Sequence, residues 1–219
     1  KHFKKKIKMK YLFIGAHADD IEIGCGGTLL KVYKKNQIYN FIATDSEYKD
    51  ENGKMIRTTH DARRDISRCY KGKKIKNIIG NSKVFYLENN EKLRAELVRL
   101  RKKIIPTVVF VPWIYDPHPD HKNLAEAALT VFRDTDNIIM YRSNWYYSNK
   151  FFNKNFFSDI TSYYKRKIKL VSNFKSEVRR TKSIWLNKIE NECISNGNVI
   201  QKKYAEAFEI VKISNTFKI

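Results

Sequence analysis

Cysteine is scarce and scattered. The chain has three, Cys25, Cys69 and Cys193. No two form a C-x-x-C pair, which argues against a cysteine zinc cluster and against a disulfide framework. A reducing, cytoplasmic compartment is expected. Long apolar runs are missing as well. The longest, Ile104 to Tyr115, is broken by Pro106 and Pro112 and falls short of the ~20 apolar residues that cross a bilayer. The opening KHFKKKIKMK is basic but lacks the apolar stretch and cleavage site of a signal peptide. No internal repeat and no linker-like stretch interrupts the 219 residues, so one domain spanning 1–219 is expected. Acidic residues are in deficit, 23 against 44 basic, which leaves a formal charge of +21 and a pI near 9.8.

Hydrophobic residues make up 42% of the chain and aromatics 13%, enough to exclude disorder in spite of the charge. The charge itself suggests nucleic acid, an anionic membrane surface or a phosphorylated ligand. A nucleic-acid-binding protein needs a basic stripe with interleaved aromatics. Here the lysines are spread over segments such as KHFKKKIKMK, KGKKIKN and RKK. No specific nucleic-acid partner is therefore expected, and a lysine-rich background composition accounts for most of the excess.

Strand and helix patterns alternate along the chain. Tyr11 to Gly15, Ile38 to Thr44, Val84 to Leu87, Thr107 to Val111, Asn137 to Arg142 and Ala207 to Ile213 read as strands,. Thr107 to Val111 is continuously apolar, as a strand buried on both faces should be. Helices are expected over Thr28 to Asn36, Thr59 to Tyr70, Glu91 to Ile104, His121 to Phe132, Tyr163 to Phe174 and Lys182 to Ser195. In Glu91 to Ile104, Leu93, Leu97, Leu100 and Ile104 form one apolar stripe,. The alternation predicts an α/β fold, a Rossmann-like three-layer sandwich around a mostly parallel sheet. Tyr146 to Phe157 reads as an aromatic-rich loop that could cover a site or a neighbouring copy, so oligomerisation is left open.

Two polar clusters follow apolar strands. Ala16-His17-Ala18-Asp19-Asp20 ends the first, and Pro117-His118-Pro119-Asp120-His121 follows the strand at Thr107. Ligands of open parallel sheets bind beyond the strands' carboxyl ends, so the clusters should converge. His17 and Asp20 are three residues apart, as are His118 and His121. Imidazole and carboxylate suit zinc, with iron or manganese as alternatives, and three protein ligands plus water is the catalytic pattern. Of the adjacent Asp19 and Asp20, one can bind metal while the other takes a proton. Each Asp could instead cap a helix. The run Gly24-Cys25-Gly26-Gly27 does not follow its strand closely enough for a dinucleotide-binding turn, and close backbone packing explains it better.

At these residues the chain resembles a known family. AHADDIEIGCGGTL is similar to the first signature of the LmbE/PIG-L zinc de-N-acetylases, and PHPDH to their second. Thr44-Asp45-Ser46-Glu47 resembles the family's T-D-G-E turn, Asp159-Ile160-Thr161 with Lys167 and Ser176 its D-I-T…K…S stretch, and Tyr204-Ala205-Glu206-Ala207-Phe208 its Y-A-E-A-F ending. The resemblance implies one Zn2+ per chain on His17, Asp20 and His121. It implies Asp19 as general base, and His118 as a protonated oxyanion stabiliser or leaving-group acid oriented by Asp120. It further implies a small acetamido-sugar substrate, free or phosphate- or nucleotide-linked, contacted by Arg63 or Arg64 and by Asn89 or Asn90. An amidase acting on a non-sugar conjugate is the alternative. Ala18 stands where the family has Pro, and Ile21 where it often has Glu, with Glu22 following.

Overall fold

A computed structural model describes residues 8–214 and 217; the first seven residues of the basic opening lie outside them. The strands are β1 (Lys10–Gly15), β2 (Gln37–Thr44), β3 (Tyr48–Lys49), β4 (Met55–Arg57), β5 (Ile75–Ser82), β6 (Val108–Pro112), β7 (Asn137–Tyr141), β8 (Phe156–Asp159) and β9 (Ala205–Lys212). The helices are α1 (Asp20–Val32), α2 (Thr59–Tyr70), α3 (Glu91–Ile104), α4 (Pro119–Val131), α5 (Tyr164–Val171), α6 (Lys175–Arg180) and α7 (Ile184–Val199). Seven strands form one sheet in the order β5-β2-β1-β6-β7-β9-β8, while β3 and β4 form a separate hairpin. Pairing from β5 to β7 is parallel, and β9 runs antiparallel to both its neighbours.

Alternation along the central strands builds two cores. Tyr11 and Phe13 of β1 join Val108 and Phe110 of β6 on one face, against α1, α2 and α5. Leu12 and Ile14 join Val109 and Val111 on the other, against α3 and α4. Helices thus cover both faces of a mostly parallel sheet, as expected. The chain moves outward from β1 through β2 to β5, then returns to place β6 on the other side of β1. That reversal between β1 and β6 is the topological switch point, where α/β sheets open a ligand crevice.

Several elements differ from expectation: β3, β4 and α6 were not anticipated, and β8 begins within the expected loop Tyr146 to Phe157. The apolar run Val84 to Leu87 is not a strand; Phe85 has a φ of 68°, and its segment forms a turn. The strand beside β2, at one edge of the sheet, is β5, whose IKNIIGNS sequence mixes polar residues because only part of it is covered. α1 starts at Asp20, eight residues ahead of the predicted Thr28, and is interrupted at Cys25 (φ −142°, ψ 17°). Here the glycines serve packing. A Cβ on Gly24 would lie 2.1 Å from the Tyr141 ring, and one on Gly27 would lie 2.8 Å from Ile160. Past the interruption the helix is capped from outside itself, because Glu206 accepts the Gly27 and Thr28 amides at 2.8 and 2.7 Å.

Candidate active site

β1 ends in the turn carrying His17, Asp19 and Asp20, and the loop after β6 carries Asp116, His118, Asp120 and His121. The two strands are neighbours, so their carboxyl ends bring both clusters to one cleft of about 540 Å³. His17 Nδ1 lies 3.1 Å from His121 Nε2, and Asp20 approaches them at 3.6 and 3.2 Å. His118 stands beside this trio, its ligand atom within 4.8 Å of those of His17 and His121. Asp20 is not a helix cap: Asp19 occupies the N-cap position of α1 and makes no side-chain cap. The Asp20 carboxylate instead accepts the His17 amide at 2.8 Å and the Ser143 hydroxyl at 2.9 Å.

Two further carboxylates decide what these rings can do. Asp120 accepts from His17 Nε2 at 2.9 Å, and Asp116 accepts from His121 Nδ1 at 3.1 Å. Asn144 donates to both Asp116 oxygens and fixes that group in turn. An ionised carboxylate only accepts, so each ring carries its proton on the outer nitrogen. His17 Nδ1 and His121 Nε2 then turn lone pairs toward each other and toward the Asp20 carboxylate. Ligands ~2.1 Å from a tetrahedral ion lie roughly 3.4 Å apart, which is the separation this trio shows. Carboxylates behind metal-binding imidazoles fix their tautomer in this way. His17, Asp20 and His121 therefore fit a divalent ion.

Without a metal the same pocket favours protons, which a divalent cation would displace. Burial opposes the charge on His17 and His121, yet their carboxylate partners outweigh it and raise both pKa values, that of His121 strongly. Burial also opposes the charge on Asp20, but the two histidines hold it well below the ordinary range. The trio attracts positive charge. His118 behaves differently. Burial, with His17 and His121 nearby, pushes its pKa down to about 4. Its Nδ1 accepts the Asp120 amide at 3.2 Å, which leaves the proton on Nε2. With Nδ1 accepting, the ring can act as an N–H donor through Nε2. The Asp120 carboxylate does not orient that ring, because its oxygens serve His17 and the amides of Phe85 and Leu87.

Asp19 has a φ of 122°, a strained backbone for a non-glycine residue. Burial pushes its carboxyl up to about 7, while Arg57 pulls the other way. Arg57 Nη1 donates to Asp19 Oδ2 at 2.9 Å and to the Ala18 carbonyl, and its Nε donates to the Ser46 carbonyl. Ser46, at a φ of 58°, sits where a T-D-G-E turn places a glycine, and its hydroxyl accepts the Ala18 amide.

The structure places the expected sugar contacts outside the cleft. Arg63 and Arg64 are exposed, bonded to Asn81 and to Asp61 and Asp65 respectively. Asn89 bonds Glu126 and Arg94, and Asn90 caps α3. None of them lines the cleft. The Thr58–Asp61 capping box fixes where α2 starts, and that phase turns both arginines away. The arginines of the cleft are Arg57 and Arg180, with Glu177 between them: Arg180 donates to it at 2.8 Å, and Arg57 approaches it at 4.0 Å. Arg57, Asp116, Ser143, Asn144 and Glu177 escape sequence reading. Only Asp116, two residues before a motif histidine, carried a usable signal. The charge also distributes unexpectedly. The cleft lining holds five carboxylates (Asp19, Asp20, Asp50, Glu51, Glu177) against Lys49, Arg57 and Arg180, so the chain's excess of positive charge lies elsewhere.

Comparison with known proteins agrees with this architecture. The diacetylchitobiose deacetylase of Thermococcus kodakarensis is 25% identical over 228 residues, covering 92% of this chain and 83% of that protein. The structure of a conserved protein from Thermus thermophilus superposes with a TM-score of 0.79 at 19% identity, over 96% of this chain and 97% of that one. The N,N'-diacetylchitobiose deacetylase of Pyrococcus horikoshii, solved with an inhibitor, gives 0.78 at 22% identity, over 94% and 85%. At these identities the two structures establish the fold. A family sequence profile, described as PIG-L: GlcNAc-PI de-N-acetylase, matches residues 12–132. That match spans both histidine clusters and more than half of the sequence, and on it the chain belongs to the PIG-L deacetylase family.

Proposed function

We propose that the chain is a zinc-dependent N-deacetylase that hydrolyses the acetamide of a neutral N-acetylated amino sugar. The observation that carries this reading is the convergence of His17, Asp20 and His121 with their lone pairs inward and their outer nitrogens tied to carboxylates. A zinc ion on those three groups supplies Lewis acidity and a water of lowered pKa. The chain's own groups do the rest. Asp19 accepts the water proton and returns it to the departing amine, its position fixed by Arg57,. His118 donates its Nε2 proton in a hydrogen bond to the carbonyl oxygen as negative charge develops there. Relatives named for diacetylchitobiose support a neutral glycan as the substrate class.

Acetate release tests this directly. N-acetylglucosamine, diacetylchitobiose and a nucleotide-linked N-acetylglucosamine are each offered to zinc-loaded and chelated protein. Release is expected from the neutral sugars, lost on chelation and restored by zinc. Equal turnover after chelation would overturn the metal assignment. Preference for the nucleotide-linked sugar would overturn the substrate class.

A further inference from the structure

Phe85 breaks two ordinary rules at once. It is 63% exposed, and its φ of 68° lies in the left-handed region that bulky residues avoid. Such conformations persist where the surroundings impose them, and they gather at functional sites. Here Asp120 imposes it. Its carboxylate accepts the Phe85 amide at 2.7 Å and the Leu87 amide at 3.2 Å, and Leu87 is buried in the core beneath. The same carboxylate takes the outer nitrogen of His17, so the turn and the trio share one anchor. The turn lays the Phe85 ring on His118, with centroids 5.0 Å apart and planes at 21°. His121 stacks on His118 as well, at 4.9 Å and 28°. Beyond its Nδ1 bond to the Asp120 amide, the imidazole plane is set by these two stacked rings and by His17, which meets it edge-on at 4.8 Å and 70°.

We infer that Phe85 is a positioning residue for His118: its stacked ring fixes the plane in which His118 presents Nε2–H to the substrate carbonyl. The inference rests on the deacetylase reading for its kinetic consequence, and on geometry alone for the contact. Removal of one aromatic stack should lower turnover by roughly 10-fold.

The test compares Phe85→Ala, Phe85→Leu and Phe85→Tyr in the zinc-loaded enzyme. The alanine and leucine variants should lose kcat with KM little changed, and tyrosine should restore it, since plane rather than bulk is what matters. In a His118→Ala background, Phe85→Ala should cost nothing further. Rescue by leucine, a KM effect without a kcat effect, or a further loss in the His118→Ala background would each overturn the role. The ring C–H resonances of His118, assigned by their absence from His118→Ala, give a readout independent of turnover. They should shift in Phe85→Ala, and unmoved signals would overturn the proposal. A chain with shifted signals but no acetate release would count against the deacetylase reading and leave the contact standing.

Discussion

Two clusters of buried charge hang on α1, and they are built on opposite principles. Beneath its interruption, Lys167 and Glu206 are both 2% exposed and fully matched. Lys167 Nζ donates to Glu206 and to the Ile23 carbonyl, each at 2.6 Å, and Glu206 also takes the two amides that restart the helix. The pair's opposite charges meet each other within the chain. At the start of α1, by contrast, Asp20, His17 and His121 face one another with acceptors on every side, and their donor hydrogens point outward to Asp116 and Asp120. Burying a charge is costly unless it is paired. The first cluster meets that cost from within the chain. The second leaves it to a cation, which is what separates a structural ion pair from a binding site.

The largest expected effect lies in the open cluster. Asp19→Asn keeps an oxygen that can accept from Arg57 but removes the proton acceptor. Turnover should fall by roughly 10²–10⁴-fold, with zinc content and melting temperature close to wild type. Steady-state kinetics with metal analysis decide it. Full activity would reassign the base, and a collapse in stability would mean that Asp19 is structural, as Lys167 is.

The matched cluster should respond in the opposite way. Lys167→Met strands the Glu206 carboxylate, and breaking a buried pair from one side costs about 3–5 kcal/mol. For a domain of this size that lowers the melting temperature by roughly 6–20 °C. Activity per folded molecule, measured well below the transition, should stay within about 2-fold. Adding Glu206→Gln, which removes the stranded charge yet keeps an acceptor for the helix amides, should recover most of the loss. A double variant no more stable than the single would show that the pair acts through something other than charge.

The same contrast explains what could be read from the sequence. The open cluster was legible because its members are adjacent in short motifs and each motif follows a strongly apolar strand. Two central strand ends with three histidines between them have few explanations. The matched pair was visible only through family resemblance, since Lys167 and Glu206 lie 39 residues apart and no local spacing joins them. Arg57 and Glu177 were illegible for the same reason, because only the packing of α6 against the hairpin strand β4 brings them near the cleft. That Arg63 and Arg64 lie outside the cleft was not legible, because a helix shows its polar face in the sequence without showing what that face meets. The run at Val84 to Leu87 misled in a useful way. Four apolar residues read as a strand, but their apolarity serves the core at Leu87 and a ring over His118 at Phe85.

Asp120 gives the smallest effect and the sharpest division between the two clusters, because it is wholly buried yet belongs to the open one. It accepts from three directions: His17 Nε2, the Phe85 amide and the Leu87 amide. Asp120→Asn leaves one carbonyl oxygen to accept and adds an amide that can only donate. The turn at Phe85 can keep a partner, but His17 loses the charge that fixes its outer proton and so the inward lone pair. Loss of such support weakens metal affinity by roughly 10–100-fold, equivalent to about 1.4–2.7 kcal/mol. Competition against a chromophoric chelator measures it. Saturating zinc should restore most of the turnover, because Asp19 and His118 remain. If affinity were unchanged while the zinc-free protein melted as low as Lys167→Met, Asp120 would be one more matched structural charge. The boundary between the clusters would then fall between Asp120 and His17 instead of outside both.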